Sequence, residues 1–150
     1  LARNREGWVI DASVASKWYL RDEDHQAEAQ SFWDRFERNG ILAVAPMISK
    51  YEVANAVSVA TWLGRIDPSS ALAGVRHYAD SGILIDPDPD WLVDEATRIS
   101  CRFRISAYDA SYLALAQALR MNFVTADERL RNKVAGQMTF VHWVGDIQPQ

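Results

Sequence analysis

One cysteine in 150 residues leaves no internal disulfide and no cysteine-based zinc site. Cys101 therefore fits a reducing, cytoplasmic setting better than a secreted one, and a lone thiol of this kind is most often a buried structural residue. Long hydrophobic runs are missing too: none approaches the roughly 20 residues of a membrane span. Leu1 to Gly7 is charged and polar, with no signal-peptide core behind it. A soluble protein with no membrane association is expected, and residues 1 to 6 read as a frayed lead-in whose start at Leu1 suggests trimming or an artificial origin. Histidine is scarce, and His25, His77 and His142 are scattered without an i, i+4 partner, which removes the helical zinc-hydrolase pattern. The absence of Gly-x-x-x-x-Gly-Lys and of Gly-x-Gly-x-x-Gly speaks against nucleotide-cofactor chemistry. Excess positive charge is lacking as well: a net charge of −4 argues against a protein that simply coats nucleic acid.

What the chain does hold is core material, with 49% hydrophobic residues and six Trp, enough for one domain over residues 1–150. Short β-like runs alternate with longer amphipathic patterns. The strands are expected at Trp8 to Asp11, Ile41 to Ala45, Gly82 to Ile85, Asn122 to Thr125 and Thr139 to His142. The helices are expected near 13–20, 24–38, 46–64, 69–80, 90–103, 107–120 and 127–134, with Pro46 in a first helical turn. Such alternation predicts an α/β fold with a central parallel sheet of about five strands and helices on both faces. Function in these sheets gathers at the carboxyl ends of strands.

Four acids sit where that fold could collect them. Asp11 follows Trp8-Val9-Ile10, Asp127 follows Val124-Thr125-Ala126, and Glu52 and Asp109 lie near the starts of apolar helices. Each has an ordinary reading. Asp11, with Ser13 assisting, and Asp127 suit helix N-caps, and Ser106-x-x-Asp109 resembles a capping box. Glu52, with Asn55 at i+3, could be a solvent-facing helix residue. Convergence of all four would be costly without a cation, since a like-charge pair at about 4 Å costs roughly 4 kcal/mol at an effective dielectric near 20. Charge is also segregated. Residues 1–97 hold nine Lys/Arg against sixteen Asp/Glu, net −7, while residues 98–133 hold seven against three, net +4. Arg98, Arg102, Arg104, Arg120, Arg129, Arg131 and Lys133 could hold a phosphate backbone, or could simply be a solvated surface.

Four stretches, in order, carry a family resemblance. They are Val9-Ile10-Asp11-Ala12-Ser13 through Leu20, Ala45-Pro46 through Tyr51-Glu52-Val53-Ala54-Asn55-Ala56, Tyr108-Asp109-Ala110-Ser111-Tyr112-Leu113-Ala114, and Phe123-Val124-Thr125-Ala126-Asp127-Glu128. The set resembles the PIN-domain nucleases, most closely the VapC toxins of toxin–antitoxin pairs, and covers residues 8 to 130. The resemblance implies a PIN fold, a metal-dependent endoribonuclease, and Asp11, Glu52, Asp109 and Asp127 around one or two Mg²⁺ or Mn²⁺ ions. Ser13, Asn55 and Thr125 would be auxiliary polar groups. It further implies an RNA substrate, a cognate VapB-like antitoxin and a homodimer, for which Trp18, Tyr19, Trp33, Phe36, Trp62 and Tyr78 are candidate interface residues. Two rivals remain at this point. A phosphotransfer receiver normally pairs adjacent acids early and places a Lys after a late strand, neither of which is present here. A non-catalytic PIN-like module that binds RNA or takes part in its processing would need no intact acids.

Overall fold

Consecutive side chains in a strand point to opposite faces of a sheet, so a strand buried at every position has both faces covered. Trp8, Val9 and Ile10 are buried in succession, as are Phe123 and Val124. The structure, a computed structural model, describes residues 5–149. It contains β1 (Glu6–Ile10), α1 (Ala12–Ala15) with a 3₁₀ turn over Ser16–Trp18, α2 (Gln26–Glu37), β2 (Ile41–Pro46), α3 (Ile48–Trp62) and α4 (Pro68–Asp80). These are followed by β3 (Leu84–Asp86), α5 (Asp90–Phe103), α6 (Ala107–Leu119), β4 (Asn122–Thr125), α7 (Glu128–Val134) and β5 (Val141–Trp143), with a last 3₁₀ turn over Val144–Asp146.

The five strands form one parallel sheet in the order β3-β2-β1-β4-β5. The chain starts in the middle, builds outward through β2 and β3, then returns to add β4 and β5 on the other side. Connections leaving the ends of β1 and β4 therefore diverge, which opens a crevice between them. The register pairs Ile10 with Val124, so the residues that follow, Asp11 and Thr125, emerge side by side. α6 lies across β1, β2 and β4 and packs on α5, while α3 packs on α1 and α4. Phe32 of α2 meets Trp8 edge-on at 4.9 Å, and the Arg35 guanidinium lies over both rings. No described helix is long and apolar enough to cross a membrane.

Several local expectations need correction. Pro46 closes β2 instead of opening a helix. It lies two residues past Val44, the last residue of β2 paired with β1, at a strand end where a missing N–H is tolerated. Glu6 is no part of a frayed lead-in: it opens β1, pairs in register with Ile41 and accepts a hydrogen bond from Arg35 at 3.0 Å. Leu1 to Asn4 lie outside the described residues. The first helix is shorter than its pattern suggests, because the chain tightens at Ser16 and the Trp18 indole docks on α2, donating to Ala29 O at 2.8 Å. Cys101 is exposed. α5 buries Leu92, Ala96 and Ile99, and two residues beyond Ile99 is about 200° round the helix, on the solvent side.

Phe123 is fully buried in β4 and stacks at 5.7 Å on Tyr112 of α6. Phe123→Ala is expected to cost about 3–5 kcal/mol of unfolding free energy in a urea titration. A loss below about 1 kcal/mol would mean that β4 is not packed as described.

Candidate active site

All four sequence-nominated acids line one open cleft of about 430 Å³ at the carboxyl edge of the sheet, with Ser13, Asn55, Tyr51 and Tyr108 also on its walls. Each acid arrives from a different element. Asp11 is the N-cap of α1 and is held on three sides. Its Oδ1 accepts from Ser13 N at 3.3 Å, and its Oδ2 accepts from Ser13 Oγ at 2.8 Å and from Thr125 Oγ1 at 2.6 Å. The two hydroxyls are locked in turn: Ser13 Oγ accepts from Ala126 N at 2.9 Å, and Thr125 Oγ1 from Asp127 N at 3.0 Å. Thr125 is fully buried and supports Asp11 from behind, whereas Ser13 and Asn55 reach the cleft surface.

Glu52 stands one turn into α3, and its Oε2 accepts from the buried Tyr112 hydroxyl at 2.5 Å. The same hydroxyl accepts from Ala12 N at 3.4 Å, so Tyr112 ties α6 to the α3 acid and to the start of α1. Tyr112 was not among the residues nominated from sequence. The available signal was a tyrosine inside the apolar Tyr112-Leu113-Ala114-Leu115 run, since a buried phenol must find a polar partner.

Asp109 is half-buried in the first turn of α6, where Ser106 Oγ accepts from its N–H at 3.0 Å. Only that half of the capping box forms. Among the described residues the Asp109 carboxylate accepts no hydrogen bond. Asp127 is the N-cap of α7, its Oδ1 accepting from Leu130 N at 3.1 Å. The capping readings of Asp11 and Asp127 are thus realised, and both residues face the cleft as well.

The site is electrostatically loaded. Burial pushes the Asp11 carboxyl above its ordinary value, against the opposing hydrogen bonds from Thr125 and Ser13, and the Asp109 charge adds to the rise. Glu52 is pushed up to about 7, first by burial and then by the charges of Asp11 and Asp109, while the Tyr112 hydrogen bond pulls the other way. Among the described residues none of the four acids forms an ion pair. No histidine lines the cleft. A cluster of hard oxygen donors with no internal cation fits Mg²⁺ or Mn²⁺ by donor chemistry. The fit is one of composition: among the described residues no three acids are drawn into a ready-made ligand sphere.

The basic segment divides into separate places. Arg98 pairs with Glu95, Arg102 bonds to Gln137, Arg131 pairs with Asp146, and Arg120 ends α6. Arg104, Arg129 and Lys133 line a depression that shares Asp109 and Asp127 with the acid cleft. None of these three is ion-paired among the described residues.

Comparison with known proteins gives a consistent picture. The family model for the PIN domain matches residues 8–135. The chain is 25% identical over 118 residues to Exonuclease VapC9 of Pyrobaculum aerophilum, a match covering 79% of this chain and 86% of that protein. The crystal structure of PAE2754 from Pyrobaculum aerophilum superposes with a TM-score of 0.69 at 23% identity, covering 94% of this chain and 92% of the other. Mycobacterium tuberculosis VapC20, described as a Sarcin-Ricin loop cleaving toxin, superposes with a TM-score of 0.67 at 12% identity, covering 87% of this chain and 95% of the other. At those identities the two structures speak for the fold.

The raised Glu52 value has a measurable consequence. In EDTA the folded protein holds a proton on Glu52 up to about pH 7, while the unfolded chain releases it near the ordinary 4.5. Folded stability should therefore fall as pH rises from about 4.5 to about 7, and Glu52→Gln should flatten that slope. Urea titrations across this range check it; parallel slopes for wild type and variant would refute the assignment to Glu52.

Proposed function

The chain belongs to the PIN-domain family, and from that premise we propose that it is a metal-dependent endoribonuclease, the toxin of a toxin–antitoxin pair. The observation that carries this reading is the meeting of Asp11, Glu52, Asp109 and Asp127, from four separate segments, in one cleft without a basic partner among the described residues. Crowded carboxylates of this kind are destabilising unless something positive joins them. The similar Pyrobaculum protein, named an exonuclease, supports the nuclease part of the proposal, and the toxin description of Mycobacterium tuberculosis VapC20 supports the toxin part.

Asp11, Glu52, Asp109 and Asp127 are the residues that would hold Mg²⁺ or Mn²⁺. When bound, such a cation supplies acidification of a water nucleophile and neutralisation of charge on the scissile phosphate and the leaving 3′ oxygen. The chain's own contribution is orientation. The Ser13 and Thr125 hydroxyls fix the Asp11 carboxylate in one rotamer, and Tyr112 fixes Glu52. Asp109, free of internal hydrogen bonds among the described residues, is available with Asp11 to align the attacking water. Asn55 at the rim offers an amide to a water or phosphate oxygen. Because the nucleophile is water, the RNA 2′-OH is not consumed and products carry 5′-phosphate ends.

The toxin reading brings a VapB-like antitoxin whose segment crosses the cleft and masks the acids, and a homodimer. Of the aromatics considered for such contacts, Tyr78 is buried, Trp18, Tyr19 and Phe36 are partly packed on the core, and Trp62 is 75% exposed at the end of α3 beside an exposed Leu63. A small neighbouring reading frame with a DNA-binding N-terminal segment is the expected genomic context.

Cleavage of a structured RNA pool by purified wild type and Asp11→Asn, each with Mg²⁺, Mn²⁺ or EDTA, tests the proposal. Cutting is expected with either metal, absent in EDTA, and reduced about 10²- to 10⁴-fold in the variant. Product ends bearing 2′,3′-cyclic phosphate, or cutting that persists in EDTA, would overturn the mechanism.

A further inference from the structure

Tyrosine is distributed unevenly over this molecule. Of the five, Tyr78 and Tyr112 are buried and hydrogen-bonded, and Tyr19 is half-buried with its hydroxyl 3.0 Å from His77 Nδ1. The other two, Tyr51 at 72% and Tyr108 at 63% exposure, both line the acid cleft. Neither hydroxyl has a hydrogen-bond partner among the described residues, so neither ring serves the fold through its polar end. Each immediately precedes a cleft acid, in Tyr51-Glu52 and Tyr108-Asp109. One residue is about 100° of helix rotation, which puts the ring at the rim while the neighbouring carboxylate points inward.

The two tyrosines come from different helices, α3 and α6. Asp109 and Asp127 lead from the same cleft to the depression lined by Arg104, Arg129 and Lys133. An aromatic rim, a carboxylate floor and an adjoining basic depression form a sequence of surfaces matching a nucleic acid strand whose bases are unstacked. Exposed rings take the base faces, and cations take the backbone phosphates. A duplex keeps its base faces inside its own stack and offers these rings nothing.

We propose that Tyr51 and Tyr108 are base-stacking residues that receive the unpaired nucleotides flanking the scissile phosphate, with Arg104, Arg129 and Lys133 holding the backbone beyond it. The inference rests on the ribonuclease reading above and adds to it two residues that position the substrate by stacking. The tyrosines bind and position; they take no part in proton transfer.

The test uses a fluorescent 12-nucleotide RNA, the same sequence as a blunt duplex, and a copy of the strand carrying 2-aminopurine. Binding is followed by anisotropy and 2-aminopurine fluorescence, with Ca²⁺ in place of Mg²⁺. Wild type should favour the single strand and quench 2-aminopurine. Tyr51→Leu and Tyr108→Leu should each weaken single-strand binding by about 5- to 150-fold and relieve the quenching, while Tyr108→Phe retains both, because stacking uses the ring. Any residual duplex binding should not change. Leucine variants that bind the single strand like wild type would overturn the proposal and leave the two rings to a protein partner. Equal losses on single strand and duplex would also overturn it, by showing contact with the backbone. Cleavage assays with Mg²⁺ on the same proteins separate the two levels. Wild-type cutting that is unaltered in the leucine variants defeats stacking alone, whereas a wild type that neither binds nor cuts RNA defeats the nuclease reading with it.

Discussion

Burying the Asp11 carboxylate at the end of the central strand is the constraint around which the functional edge is arranged. A carboxylate removed from water is costly unless hydrogen bonds replace the lost hydration. Here two hydroxyls and one amide do so, from Ser13 and Thr125. Thr125 can contribute because β1 and β4 are parallel neighbours paired at Ile10 and Val124. The same hydroxyls accept the Ala126 and Asp127 amides, so satisfying one acid also fixes the loop that delivers another. The first turn of α1, the end of β4 and the start of α7 are thereby joined into a single hydrogen-bonded unit.

Three of the acids then act on one another through a partly dry space. Asp109 raises Asp11, and both raise Glu52, while burial raises Asp11 and Glu52 more than either charge does. Protonation relieves this crowding. The reversal of strand order between β2-β1 and β4-β5 separates the outgoing connections and leaves the crevice in which these acids meet. Tyr112 supplies the remaining rigidity, its one hydroxyl bridging the α3 acid and the α1 backbone.

Local pattern carried much of this in the open. Asn122 to Thr125 is bounded as its β-branched and aromatic character indicates, and Ser106 before Asp109 marks the start of α6 as a capping residue should. Pattern failed where two local meanings compete. Pro46 suits both a helix start and a strand end, and only pairing of β2 with its neighbours decides between them. Cys101 could be placed only once the buried stripe of α5 was phased by Leu92, Ala96 and Ile99. The seven cations of residues 98–133 look like one basic surface in sequence, yet helix rotation and ion pairing leave Arg104, Arg129 and Lys133 beside the acids and send Arg98, Arg102 and Arg131 to other partners.

The residues themselves determined the alternation of strands and helices, the parallel sheet and the nomination of four acids, because hydrophobic period, caps and charge are properties of short stretches of chain. The tertiary structure alone decided that those acids share one cleft, that Thr125 stands behind Asp11 while Asn55 stands at the rim, and that Tyr112 is tied to Glu52. It also decided which tyrosines face water. These are relations between segments as much as 114 residues apart, as in the Thr125 to Asp11 hydrogen bond. They are set by strand register and helix rotation, quantities that exist only once the sheet has formed.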